Sequence, residues 1–112
     1  MTNYTNGRSF EYRVAADLER DGYRTVRAAG SKGCADIWAA KPGQLLLVQC
    51  KRTNGLLPPH ERLALTELAR YVHGVPVVAF QPVPRKPIQY RELTGVGPKD
   101  FLPWVADEVV TA

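Results

Sequence analysis

The chain is 112 residues long, with 15 basic and 11 acidic side chains, a net charge of +4 and 45% hydrophobic residues. That length supports one sheet-and-helix core and argues against a second independent catalytic domain, while the charge gives a modest bias toward polyanionic partners. Two cysteines without CxxC spacing and two isolated histidines speak against a zinc site and against a disulfide framework.

Residues 6–21 place Phe10, Val14 and Leu18 at every fourth position, with Ala15 and Ala16 among them and Asp21-Gly22 behind, the pattern of an amphipathic helix and its stop. Residues 23–28 alternate aromatic or branched side chains with arginine and threonine and predict a strand. A small-residue loop over 29–35 leads to a second, apolar strand over 36–40, and Pro42-Gly43 turns the chain back. Residues 44–51 form the central strand, whose unbroken Leu45-Leu46-Leu47-Val48 implies burial on both faces.

After a loop over 52–58, Pro59 suits the first turn of a second helix running to about Val72. Leu65, Leu68, Ala69 and Val72 form its core stripe, its other face is charged and solvated, and Gly74 is its stop. Residues 76–80 read as a short apolar strand, residues 82–87 as a stiff basic loop, and residues 88–93 as a final edge strand. His60 and His73 read as helix-terminal residues, and Trp38 and Trp104 as core or interface residues.

The order α-β-β-β-α-β-β predicts an α/β sandwich with a mixed central sheet, in one domain whose core spans about residues 6–93. Residues 97–112 contain Phe101, Leu102, Trp104 and Val105, too apolar for a free linker, and are expected to pack or to meet a partner subunit. Residues 1–96 hold 14 basic and 8 acidic side chains against 1 and 3 in that tail, so the positive charge belongs to the folded body. No apolar run approaches the roughly 20 residues of a membrane span, and Met1-Thr2-Asn3-Tyr4 lacks the regions of a signal peptide. The expectation is a soluble cytoplasmic protein without a membrane partner.

Chemistry concentrates at the end of the central strand. Side chains on a strand alternate faces, so Gln49 and Lys51 emerge on one side and Cys50 on the other. A lysine ending a core strand needs solvent or a charged partner, and Asp36 is the local candidate. A hard cation such as Mg2+ takes oxygen ligands and keeps several waters, so Asp36 with Gln49 can hold one. Beside it, a lysine can orient a nucleophile or stabilise charge developing on phosphorus. Glu11 shares a helical face with Val14, Ala15 and Leu18 and offers a third oxygen ligand; a carboxylate favoured by the helix start, paired with Arg8, is the alternative. The loop Ala29-Gly30-Ser31-Lys32-Gly33 suits close approach to a phosphate, or is an ordinary turn.

These residues resemble the archaeal type of Holliday junction resolvase, within the PD-(D/E)xK nuclease superfamily. The resemblance spans most of residues 6–93: Gly7 and Glu11, Gly22-Tyr23 leading to Val26-Arg27, Ala29-Gly30-Ser31-Lys32, Asp36-Ile37, Gln49-Cys50-Lys51 and Gly74-Val75-Pro76-Val77. It implies a restriction-endonuclease-like fold, with Glu11 and Asp36 assisting or holding the metal, Lys51 as catalytic lysine, and Ser31 with Arg27 beside the scissile phosphate. Gln49 departs from the pattern, because that family carries an acid there; a glutamine oxygen can ligate but adds no negative charge.

The resemblance therefore implies a Mg2+-dependent (or Mn2+-dependent) endonuclease that cuts a four-way DNA junction symmetrically, with catalytic residues Glu11, Asp36, Gln49, Lys51 and Ser31. Arg8, Arg27, Lys32, Arg52, Arg85 and Lys86 extend the surface that meets DNA. Paired incisions imply a homodimer with two sites. Another repair or replication endonuclease acting on branched DNA, or a catalytically weak DNA-binding module of the same fold, are the alternatives.

Overall fold

The alternation along the strands sorts apolar side chains onto the two faces of one sheet, and each helix covers one face. A computed structural model describes the backbone of residues 3–8 and all atoms of residues 9–28 and 35–106. The elements are α1 (Asn3–Arg20), β1 (Arg24–Arg27), β2 (Ile37–Lys41), β3 (Gln44–Cys50), α2 (Pro59–Tyr71), β4 (Val75–Phe80), β5 (Gln89–Leu93) and β6 (Phe101–Pro103). The six strands lie in chain order across the sheet, antiparallel at every junction except β3 with β4. That parallel pair is joined by the crossover through α2, as parallel neighbours require.

The first core gathers Phe10, Val14, Ala15 and Leu18 of α1 over Ile37, Ala39, Leu46, Val48, Val77 and Ala79. The second gathers Leu65 and Ala69 of α2 with Leu57 over Leu47, Val78 and Leu93. Leu46, Leu47 and Val48 are fully buried, so β3 is covered on both faces as its apolar run implies. Pro76 is tolerated in β4 because β5 pairs only from Val77 onward; at Pro76 the strand has β3 alone as neighbour, and the missing N–H breaks no ladder on the β5 side.

Three expectations need correction. Helix α1 starts at Asn3 rather than residue 6. The left-handed residue that ends α2 is His73, at φ 56°, while the Gly74 N–H donates to the Ala69 carbonyl at 2.7 Å to close the turn. Strand β5 is not the sheet edge, because β6 pairs with it through Arg91 with Pro103, Glu92 with Leu102 and Leu93 with Phe101. The tail thus packs at least as far as Trp104, whose ring meets Tyr90 edge-on at 5.3 Å and Tyr23 at 6.2 Å. Residues 107–112 lie outside the described residues.

Candidate active site

Strands β3 and β4 run parallel and end together, and the start of β2, the end of β1 and the first turn of α2 meet them at the same end of the sheet. The Lys51 N–H extends the β3 to β4 ladder by donating to the Ala79 carbonyl at 2.9 Å, which fixes the backbone of the strand end. Cys50 packs against the first core, so Gln49 and Lys51 take the opposite face, as the alternation predicts.

Asp36 is held on both sides. Its backbone N–H donates to the Val48 carbonyl at 2.8 Å and its carbonyl accepts from Ala28 at 2.9 Å. Beyond the last β2 to β3 pair, its carboxylate takes the place of a ladder partner and accepts the Cys50 N–H at 2.8 Å. Burial pushes the Asp36 carboxyl above the usual aspartate range; the Cys50 N–H and Lys51 pull it down, and the charges of Glu11 and Glu61 push it further up. Burial also raises the Cys50 thiol, with the nearby charge of Asp36 adding to the effect, so this cysteine is not a thiolate nucleophile.

The expected pairing of Lys51 with Asp36 is replaced by another. The Lys51 ammonium lies 3.3 and 3.4 Å from the two carboxylate oxygens of Glu61 in the first turn of α2. Glu61 belongs to the helix face expected to be merely solvated; its side chain is only 29% exposed because it turns toward the strand end. Glu11 reaches the same region from α1 and pairs with Arg27 at 3.2 Å, while the Arg27 guanidinium also lies over the Tyr12 ring at 4.1 Å. The alternation puts Arg27 on the α1 side of the sheet, opposite Ile37, so the Glu11–Arg27 pair and the Lys51–Glu61 pair flank the strand ends from the two faces.

Gln49 carries the clearest sign of a ligand. Its Oε1 is buried and has no hydrogen-bond partner among the described residues. An unsatisfied buried carbonyl oxygen costs about 1 to 3 kcal/mol, so the position favours a donor or a cation there. Asp36, Gln49 and Glu11 are hard oxygen donors of the kind that Mg2+ accepts, and in that respect they fit the metal. Among the described residues no three His, Cys, Asp or Glu side chains cluster at ligand spacing, so a bound cation would depend on the amide oxygen as well as carboxylates.

The remaining candidates divide. Ser31 and Lys32 lie outside the described residues, and Arg8 sits in α1 with no described side chain. Arg52 is exposed directly after Lys51, and its carbonyl accepts the Gln81 N–H at 3.0 Å, which ties the loop after β4 to this end of the sheet. Arg85, at φ 69°, and Lys86 are exposed in that loop. The sequence reading missed Arg13, whose guanidinium donates to Gln81 Oε1 at 2.7 Å and which lines, with Arg20 and Lys86, a shallow groove of about 280 Å³. It also missed Glu61; the available signal was an acid two residues after Pro59, at a helix start that follows a strand-end lysine closely.

Residues 2–97 match the family described as archaeal Holliday junction resolvase (Hjc). The chain is 39% identical over 51 residues to a crossover junction endodeoxyribonuclease Hjc of Methanocaldococcus jannaschii, a stretch that covers 46% of this chain and 38% of that relative. Its structure resembles that of the Archaeoglobus fulgidus Hjc, a Holliday junction resolvase, with a TM-score of 0.65 and 26% identity over 76% of this chain and 70% of that one.

Proposed function

The chain belongs to the archaeal Holliday junction resolvase family, and on that premise we propose that it is a structure-selective endonuclease that cleaves four-way DNA junctions symmetrically. The observation that carries the reading is the convergence of Asp36, Gln49 and Lys51 at one end of the sheet, with the buried Gln49 Oε1 lacking a partner among the described residues. In this reading Asp36, Gln49 and Glu11 hold Mg2+, or Mn2+ in its place. The cation supplies charge neutralisation at the phosphate and activation of water.

The protein's own groups do the rest. The Lys51 ammonium, fixed by the Ala79 carbonyl through its backbone and by Glu61 through its side chain, stabilises negative charge developing on the scissile phosphate. Arg27, positioned by Glu11 and Tyr12, meets an adjacent phosphate, and Arg52, Arg85 and Lys86, with Ser31, Lys32 and Arg8 by resemblance, position the backbone of the junction arms. One site per chain makes one cut, so symmetric incision calls for a homodimer. No helix among the described residues is long and apolar enough to cross a membrane.

The test is cleavage of an immobile four-way junction in Mg2+, beside a linear duplex and other branched DNAs. Paired symmetric cuts in the junction alone, lost in Asp36→Ala with binding retained, are the expected result. Equal cutting of the linear duplex removes the resolvase assignment. Binding without cutting of any branched substrate in Mg2+ or Mn2+ makes the chain a binding module of this fold.

A further inference from the structure

We infer that Glu61 is a further anionic group of this site, beside Asp36 and the Arg27-paired Glu11, supplying from the start of α2 the charge that the strand itself lacks at Gln49; the inference rests on the reading of the site as a metal-assisted nuclease centre. Two residues apart on one strand, Gln49 and Lys51 share a face, and Glu61 is brought to that face by its contacts of 3.3 and 3.4 Å with the Lys51 ammonium.

The balance of charge makes the argument. Glu11 is matched by Arg27 at 3.2 Å. Without Glu61, the remaining groups are one carboxylate, Asp36, one ammonium, Lys51, and the neutral Gln49 amide, which together carry no net negative charge. A divalent cation is held by carboxylate charge as well as by oxygen number, and such a set would hold one poorly. Glu61 turns the balance negative while Gln49 Oε1, buried and without a partner among the described residues, still offers its oxygen. Glu61 and Gln49 thus divide between two side chains what one strand carboxylate would provide, the charge from one and the oxygen from the other.

An ordinary structural ion pair is the competing explanation, and it predicts something different. If the half-buried Lys51–Glu61 pair served only to tie α2 to the strand end, its loss would leave cation affinity alone. The test is Mn2+ binding by isothermal titration to the full chain, as wild type, Glu61→Gln, Gln49→Glu and the double variant, with melting in EDTA as a check on folding. Glu61→Gln is expected to weaken Mn2+ binding by about tenfold or more, and Gln49→Glu is expected to restore it in the same chain. Unchanged Mn2+ affinity in Glu61→Gln overturns the inference, even where cleavage falls, because Glu61 then acts only by positioning Lys51. A wild-type chain that neither binds Mn2+ nor cuts junctions overturns the nuclease reading as well, which separates the two failures.

Discussion

Lys51 at the end of β3 and Glu61 in the first turn of α2 form an ion pair at 3.3 Å, although ten positions and a proline-containing loop separate them in the chain. The pair ties the crossover helix to the strand end and leaves the Asp36 carboxylate to the Cys50 N–H. It thereby sets how each charged group of the site can act.

Replacing Lys51 with alanine is expected to lower junction cleavage by about 100-fold or more, the scale for removing one preorganised group that stabilises transition-state charge. Junction affinity in a gel-shift titration without cleavage should change far less, because many phosphate contacts share the binding. A parallel collapse of affinity would place Lys51 among the binding groups only.

Asp36 gives the cation-free protein a pH dependence of definite sign. Burial raises its carboxyl, so the folded state keeps the proton to a higher pH than the unfolded chain does. Its contribution is most favourable below the ordinary aspartate value and is lost as pH rises from there through the raised value. In EDTA, Asp36→Asn should therefore melt higher than wild type at neutral pH, with the difference shrinking toward acid. Added Mg2+ should raise the wild-type melting temperature and leave the variant where it was. A variant that melts lower at neutral pH would contradict this account.

Trp104 lies beyond the apolar strands that define the core, yet it packs on Tyr90 and Tyr23 and donates its backbone N–H to the Tyr90 carbonyl at 2.9 Å. Being only partly buried, it should cost less than a fully buried aromatic when truncated; Trp104→Ala is expected to destabilise by about 2 to 3 kcal/mol in urea unfolding. A change below about 0.5 kcal/mol, the size of an ordinary surface substitution, would mean that the tail is dispensable to the fold.

Gly55 combines two constraints in the loop between Lys51 and α2. Its φ of 67° is left-handed, and a Cβ there would meet the Phe80 ring at 2.7 Å. Gly55→Ala should cost about 1 to 3 kcal/mol through strain and overpacking together. Because the same loop carries the chain from Lys51 to Glu61, cleavage should fall along with stability. Melting and cleavage measured on one preparation check both effects.

Local pattern sufficed for what repeats locally. The four-residue spacing of Phe10, Val14 and Leu18 defined α1, the run from Leu45 to Val48 marked a strand buried on both faces, and the alternation through Gln49, Cys50 and Lys51 put the amide and the ammonium on one face. Asp36, Gln49 and Lys51 were legible as a group for the same reason, since a single hairpin brings them together. Arg13 and the Gln81 loop, Trp104 with its two tyrosines, and the pairing of Glu11 with Arg27 were not, because each joins segments far apart in sequence.

The sequence by itself thus determined every element but β6, the two apolar faces of the sheet and the strand end where polar groups collect, all of which follow from periodicities of two and about 3.6 residues. The tertiary structure alone decided that β6 covers the edge of β5 and that Lys51 pairs with Glu61 rather than Asp36. The reason is geometric. Residue spacing specifies which way a side chain points from its own element, whereas its partner depends on how the α2 crossover lays the start of the helix against the ends of two parallel strands, a packing that no local repeat encodes.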